Sequence, residues 1–530
     1  MGNGVPSPDK ILDATNPGRD LVEYHNGLNY LSILGEVGLD AGRAELSGLD
    51  LTDREYLTKK GVFNFPPRDS IAIFLKCYFE FVHPYLPVFN RVEFMQSYES
   101  GQYSAFLMQA ILAIAALYAP AEALQSCGFT ERSTAQASFF SKAAILYDFR
   151  CERSQLRMLQ GSLILSSTVF SYSLDKDFRY WFHNAVRIAV KMGLHKSDIV
   201  HDMDPTTYKL CKRIWWVIYS RDVLLSFMGH QNMRMLTNNI CDTPPVTEDD
   251  WDEETIPARF EPLLPALTRQ EKLYFIANCN LAVIASRCLS TFKDRRENCL
   301  DDLARAFESW RNSLPHVLQL NECQPAGEAI WHTVLLATSY RFECIIYRLL
   351  RIWWQTKDPD RHWWAKKRLA AAMFELDTII RRVVANGVLH KFPLSFKSCV
   401  PAVLALYIEV ALDDSESDLT RSMARMHIIQ GMLLLKQLQE FPSIQRALLA
   451  FDWVLTQKDL LSATPPPELP PNAPSLPRGG FLSDPDEKPA TEQDSTAFNS
   501  TTPDLFGESG QWFEEFLGFD FLDNLELTSL

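Results

Sequence analysis

The sequence predicts an all-α protein, one large multi-helical domain followed by a disordered acidic C-terminal tail. Three observations carry this. Apolar residues recur at helical spacing in segment after segment over residues 66–461. Runs of alternating β-branched residues at strand length are missing there. Proline then crowds residues 464–489, and nothing after Lys488 is a lysine or arginine.

Residues 1–65 form a polar lead with short apolar stretches such as Leu28-Asn29-Tyr30-Leu31, partly disordered by expectation. The N-terminus lacks an apolar signal-peptide region. Within the helical body, Asp204 and Pro205 make an N-cap and N1 pair, and Leu210, Ile214, Val217, Ile218 and Leu225 follow as one stripe ending at Gly229. Trp181, Ala185, Ile188, Ala189 and Met192 form a second stripe that stops at Gly193. A third runs over about residues 362–386 with Gly387 as its cap, and long helical patterns recur near 267–292, 328–354 and 419–439.

The composition, 47% hydrophobic and 22% charged, is that of a globular protein. Of the eleven cysteines, none are closer together than Cys279 and Cys288, which fits reduced, buried thiols better than a disulfide framework. The apolar run 110–119 is about half of what spans a bilayer, so no membrane association is expected. The net charge of −14 is unevenly placed: from residue 464 onward thirteen acidic residues face only Arg478 and Lys488. The body is therefore nearly neutral, without the basic footprint of a chain that holds nucleic acid by itself.

The proline density of 464–489 predicts an extended, disordered linker. Beyond it, over 490–530, Leu505, Phe506, Trp512, Phe513, Phe516, Leu517, Phe519, Phe521 and Leu522 alternate with carboxylates. So short and glycine-interrupted a segment cannot bury these groups within itself, and charge repulsion keeps it expanded. Those are the properties of an acidic activation segment that lays aromatics into a partner's groove. The plainer alternative is a C-terminal helix docking on the body through Phe516, Phe519 and Leu522.

Four stretches in order resemble the fungal-specific transcription factor domain, the regulatory middle region of zinc-cluster transcription factors. Phe81-Val82-His83-Pro84-Tyr85-Leu86-Pro87-Val88-Phe89 is similar to its opening signature. The second is similar to the stretch from Trp181 through Arg187 to Gly193-Leu194-His195, and the third to Lys212-Arg213-Ile214-Trp215-Trp216 through Asp222 to Gly229. His230-Gln231 stands where the family usually has Arg-Pro. Asn239-Ile240-Cys241-Asp242-Thr243-Pro244-Pro245 falls where the family places its Asp-Pro loop, and the polar lead resembles the cutinase transcription factor branch. Most of these positions read as architecture, with Arg187 and Asp222 expected to form a buried pair between two helices.

The resemblance implies a nuclear, non-enzymatic regulator of metabolic or secondary-metabolite genes, with coactivators of RNA polymerase II transcription as partners. Family members usually begin with six cysteines in paired Cys-x-x-Cys arrangements that bind two zinc ions. No Cys-x-x-Cys occurs here and the first cysteine is Cys77, so no zinc cofactor is expected of this chain. Its DNA contact would then come from an upstream segment or a partner, as a homodimer or as a heterodimer with a zinc-cluster factor. The rival reading is a negative regulator that titrates such a factor.

Other constellations read as structural. Arg361-His362-Trp363-Trp364-Ala365-Lys366-Lys367-Arg368 suggests single-strand or phosphate binding, but more simply a helix with tryptophans inward and lysines solvated. Asp249-Asp250-Trp251-Asp252-Glu253-Glu254 lacks the spacing of a calcium loop and reads as solvated. No phosphate loop, Gly-x-Ser-x-Gly elbow or His-Glu-x-x-His supports an enzyme.

Overall fold

In the computed structural model, the structure describes residues 49–168, 176–197, 203–227, 236, 241–251, 256–293, 300–319 and 329–460. Among the described residues all regular structure is helical. Gly229 and the whole linker and tail, 464–530, including the residues from Leu505 to Leu522, lie outside them.

Among the described residues the first helix, α1 (Leu51–Lys59), lies within the polar lead. Its Leu57, and Val62 just after it, are fully buried, so this part of the lead belongs to the core. There follow α2 (Arg68–Phe81), α3 (Arg91–Glu99), α4 (Ala105–Ala115), α5 (Ala121–Ser126), α6 (Arg132–Asp148), α7 (Gln155–Ser166), α8 (Phe178–Lys191) and α9 (Pro205–Phe227). The second half comprises α10 (Arg269–Lys293), α11 (Leu300–Asn312), α12 (Ile330–Trp354), α13 (Pro359–Ala385), α14 (Leu394–Lys397), α15 (Cys399–Leu412), α16 (Asp418–Gln437) and α17 (Pro442–Gln457).

Local chemistry sets these boundaries. Asp204 Oδ1 accepts from the backbone N–H groups of Thr206 and Thr207 at 3.1 and 3.0 Å, capping α9 with Pro205 at its first position. Asp177 caps α8 through the Tyr180 N–H, and Asp358 caps α13 through Asp360 and Arg361. At the end of α8, Gly193 adopts φ +77°, while the Leu194 and Gly193 N–H groups reach Ala189 O and Val190 O, both at 3.0 Å. That is the glycine-dependent Schellman closure, and it turns the chain toward His195.

The helices pack largely as neighbours in sequence: α7 on α8, α9 on α10, α12 on α13, α15 on α16, while α4 lies between α2, α6 and α7. Their apolar stripes merge into one continuous core. The stretch Leu394–Leu412 is long and apolar enough to cross a bilayer by length and composition, but it is mostly buried within the helical body. Its apolarity is accounted for by packing against α12, α13 and α16.

Candidate functional site

The resemblance-carrying residues meet in one framework, and Arg213 on α9 is its centre. From a buried position its Nε donates to Pro87 O at 3.4 Å, and its Nη2 donates to Phe89 O at 3.4 Å and Asn90 Oδ1 at 3.1 Å. Its Nη1 donates to Asp250 O, and its guanidinium lies 5.5 Å from the centre of the Trp251 ring. The first signature, with buried Pro84 and Pro87, is thereby tied to the third. Gln160 on α7 adds a bond to Val88 O at 2.6 Å.

His83 packs in the core 5.7 Å from the Phe79 ring. Burial, reinforced by the Arg91 and Arg213 guanidinium groups, holds its imidazole well below the usual histidine range, so it is neutral. Trp181 is fully buried among the rings of Tyr147, Tyr180, Phe140 and Phe106. On the next face, Trp215 Nε1 donates to Cys241 Sγ at 2.8 Å, with the His195 ring 5.9 Å away. Trp216 Nε1 donates to Pro244 O at 2.8 Å, and Thr243 Oγ1 donates to Leu194 O at 2.8 Å. The Asp-Pro loop is thus locked to both signature helices by three side-chain bonds.

Three expectations need correction. Arg187 and Asp222 do not pair: Arg187 is exposed and donates to Asn184 Oδ1 at 2.8 Å, while buried Asp222 accepts from the Leu236 N–H at 3.2 Å. Arg187 lies on the solvent side of α8, so burying its charge at Asp222 would cost desolvation that the local bond avoids. The acidic run is not all solvated: Asp250 and Trp251 are buried, with Lys212 Nζ 2.9 Å from Asp250 Oδ2, whereas Asp252, Glu253 and Glu254 lie outside the described residues. Of the two tryptophans in the basic stretch only Trp364 packs inward, onto Tyr347 at 5.7 Å. Trp363 is 63% exposed, because successive helical residues are about 100° apart. Lys366 is not simply solvated either, since it bridges Asp413 and Glu416 at 3.2 and 2.8 Å.

Behind the framework, α9, α10 and α12 enclose a cavity of about 200 Å³. Its wall includes Tyr85, Ser166, Ser167, Arg221, Arg341 and Ser398 beside a larger apolar surface. Arg221 Nη1 donates to Ser167 Oγ at 2.7 Å, Ser166 Oγ at 2.9 Å and Leu163 O at 3.3 Å. Burial lowers its pKa to about 10, opposed by Tyr85, so it remains a cation at neutral pH. The same burial raises the Tyr85 hydroxyl to about 12. Arg341 Nη1 donates to Ser398 Oγ at 2.7 Å. Sequence reading did not single out either arginine. The available signal was Arg221 one place before Asp222, and Arg341 interrupting the apolar stripe of α12.

The surface carries one further feature. On α16, Leu419, Met423, Met426, Ile429 and Leu433 are exposed along one side, opposite the buried Ala424, Ile428, Met432 and Leu435. Among the described residues no group of three His, Cys, Asp or Glu side chains is placed to hold a metal ion.

Comparison with known proteins agrees with this framework. The fungal specific transcription factor domain matches residues 75–312, the interval that holds all four signatures. The chain is 41% identical over 489 residues to the fusaric acid cluster transcription factor FUB12 of Gibberella fujikuroi, spanning 91% of this chain and 72% of that protein. It is 32% identical over 209 residues to cutinase transcription factor 1 beta of Fusarium vanettenii, spanning 38% of this chain and 24% of that one. With the acetamidase regulatory protein of Aspergillus fumigatus it shares 26% identity over 291 residues, 52% and 34% of the two chains. No solved structure matches it. By its ordered signatures, its all-helical body and its identity with these regulators, the chain belongs to the fungal transcription factors that carry the fungal specific transcription factor domain.

Proposed function

We propose that this chain is a nuclear activator of RNA polymerase II transcription for a metabolic or secondary-metabolite gene set, working through protein contacts. The observation that carries the reading is the 41% identity, over 91% of this chain, with a protein named as a cluster transcription factor. The tail supports the activating sign, since its aromatics and leucines stand among carboxylates with no lysine or arginine beyond Lys488. Its partners are coactivators whose grooves accept Trp512, Phe513, Phe516 and Phe519. Pairing with a second chain of the family belongs to the same proposal, and the exposed side of α16 offers apolar surface for it. DNA is reached through that partner or through a further segment, because the chain has no Cys-x-x-Cys to build a zinc cluster.

Fusing residues 489–530 to an unrelated DNA-binding domain tests the activating sign. Reporter activation is expected, with replacement of Phe513, Phe516 and Phe519 by alanine removing most of it. A silent fusion would overturn activation and favour a negative regulator that titrates a zinc-cluster factor.

A further inference from the structure

The cavity wall holds a half-buried cation, Arg221, that no carboxylate among the described residues answers. Buried Lys397 is held by backbone carbonyls and the Phe441 ring, whereas three other cations of low exposure sit on acids: Lys212 on Asp250 at 2.9 Å, Arg311 on Glu343 at 3.0 Å, Arg348 on Glu409 at 2.5 Å. Arg221 does not. All three acceptors of its Nη1 are neutral, and its Nε and Nη2 meet no acceptor among the described residues. The Nε–Nη2 edge is the side of a guanidinium that takes a carboxylate through two parallel N–H···O bonds. Ser166 and Ser167 hold the opposite corner of the group, so its orientation is set before anything binds.

The surroundings define the rest of the ligand. Arg341 brings a second positive charge to the same wall, and among the described residues no Asp or Glu lines it. Leu86, Val217, Leu224, Leu225, Phe342 and Leu394 supply apolar surface. At about 200 Å³ the space falls below the roughly 300–1,000 Å³ of drug-sized pockets, which points to a compact molecule. We infer that the cavity binds a small organic carboxylate, its headgroup on the free edge of Arg221 and its hydrocarbon body against the apolar wall. Such a ligand joins α9, which carries the third signature, to α12 and the start of α15 in the C-terminal half. It favours this packing of the body by mass action, so occupancy can be signalled through the contacts of these helices.

Calorimetry on the full chain tests this with sodium octanoate, benzoate and 4-butylbenzoate, against 1-octanol, octylammonium chloride and sodium sulfate. At least one carboxylate is expected to bind saturably, about tenfold tighter than octanol, with octylammonium and sulfate weaker still. Arg221→Gln should remove the preference for carboxylate while leaving octanol affinity in place. Leu224→Trp, which narrows the cavity and keeps both arginines, should abolish binding of every probe. The inference is overturned if no carboxylate binds in the millimolar range, or if octanol or sulfate binds as tightly. It is equally overturned if Leu224→Trp binds the carboxylate like the wild type. Because calorimetry reads binding whether or not the chain activates transcription, its outcome is independent of the reporter assay.

Discussion

Lys212 Nζ lies 2.9 Å from Asp250 Oδ2 with both side chains buried, and this pair pins α9 to the segment ahead of α10. The adjacent Arg213 fastens the first signature to the same Asp250 through its carbonyl oxygen. Asp250 also accepts from the Thr247 N–H at 2.7 Å, closing a capping box, so its carboxylate serves two elements at once.

Lys212→Met should therefore destabilise the protein by about 3 kcal/mol, the lower end of the range for breaking a buried pair, because Thr247 still satisfies part of Asp250. Denaturant titration measures the loss. Adding Asp250→Asn should restore a substantial part of it, and a double variant no better than Lys212→Met would show that packing of the lysine stem dominates instead.

Gly161 on α7 sits where a Cβ would run into the Phe106 ring of α4. Gly161→Ala should lower stability by about 1–3 kcal/mol through overpacking, despite the better helix propensity of alanine. Thermal melting checks this, with Phe106→Leu in the same background expected to recover part of the loss.

Lys397 is buried, with Nζ donating to Phe392 O at 2.7 Å and lying 4.2 Å from the centre of the Phe441 ring. Burial pushes its pKa from 10.5 to about 7, with Glu440 drawing it up and Arg132 pressing it down. Between those two values the unfolded chain holds a proton that the folded chain has released, so this residue adds stability as pH rises. Relative to Lys397→Met, the wild type should gain about 2 kcal/mol between pH 7 and 9. Paired melts at fixed ionic strength read the sign, and a flat or falling difference would contradict it.

Burial raises the thiols of Cys211, Cys279 and Cys288 to about 12, and that of Cys77 to about 11. Almost no thiolate forms near neutrality, so iodoacetamide should leave these four unmodified in the native protein and label them in guanidinium chloride. Peptide mass spectrometry distinguishes the two states; native labelling of Cys279 would mean that the α9–α10 contact opens readily.

The helices were legible because their signals are local. The stripe Trp181, Ala185, Ile188, Ala189 and Met192 is buried in full, and Gly193 ends α8 at the position its sequence marks. The stripe on α9 and the Asp204–Pro205 start are equally plain in the structure. Periodicity does not, however, say which neighbour a polar residue will meet. Arg187 and Asp222 both looked like members of one buried pair, yet the rotation of α8 turns Arg187 to solvent. Trp363 and Trp364 are adjacent in sequence and differ in fate for the same reason.

The all-α class, the helix ends at Gly193 and Asp204, the regulator family and the separation of a neutral body from an acidic tail were legible in residue order alone. Each depends on residue type and short-range spacing, which capping, periodicity and charge translate directly into structure. Helix packing alone places Lys212 and Asp250, 38 positions apart, in one buried bond. It also sets Arg221 from α9 and Arg341 from α12 on one cavity without a carboxylate. Such juxtapositions depend on how whole helices rotate and stack, where many weak apolar contacts act together and no local pattern records the outcome.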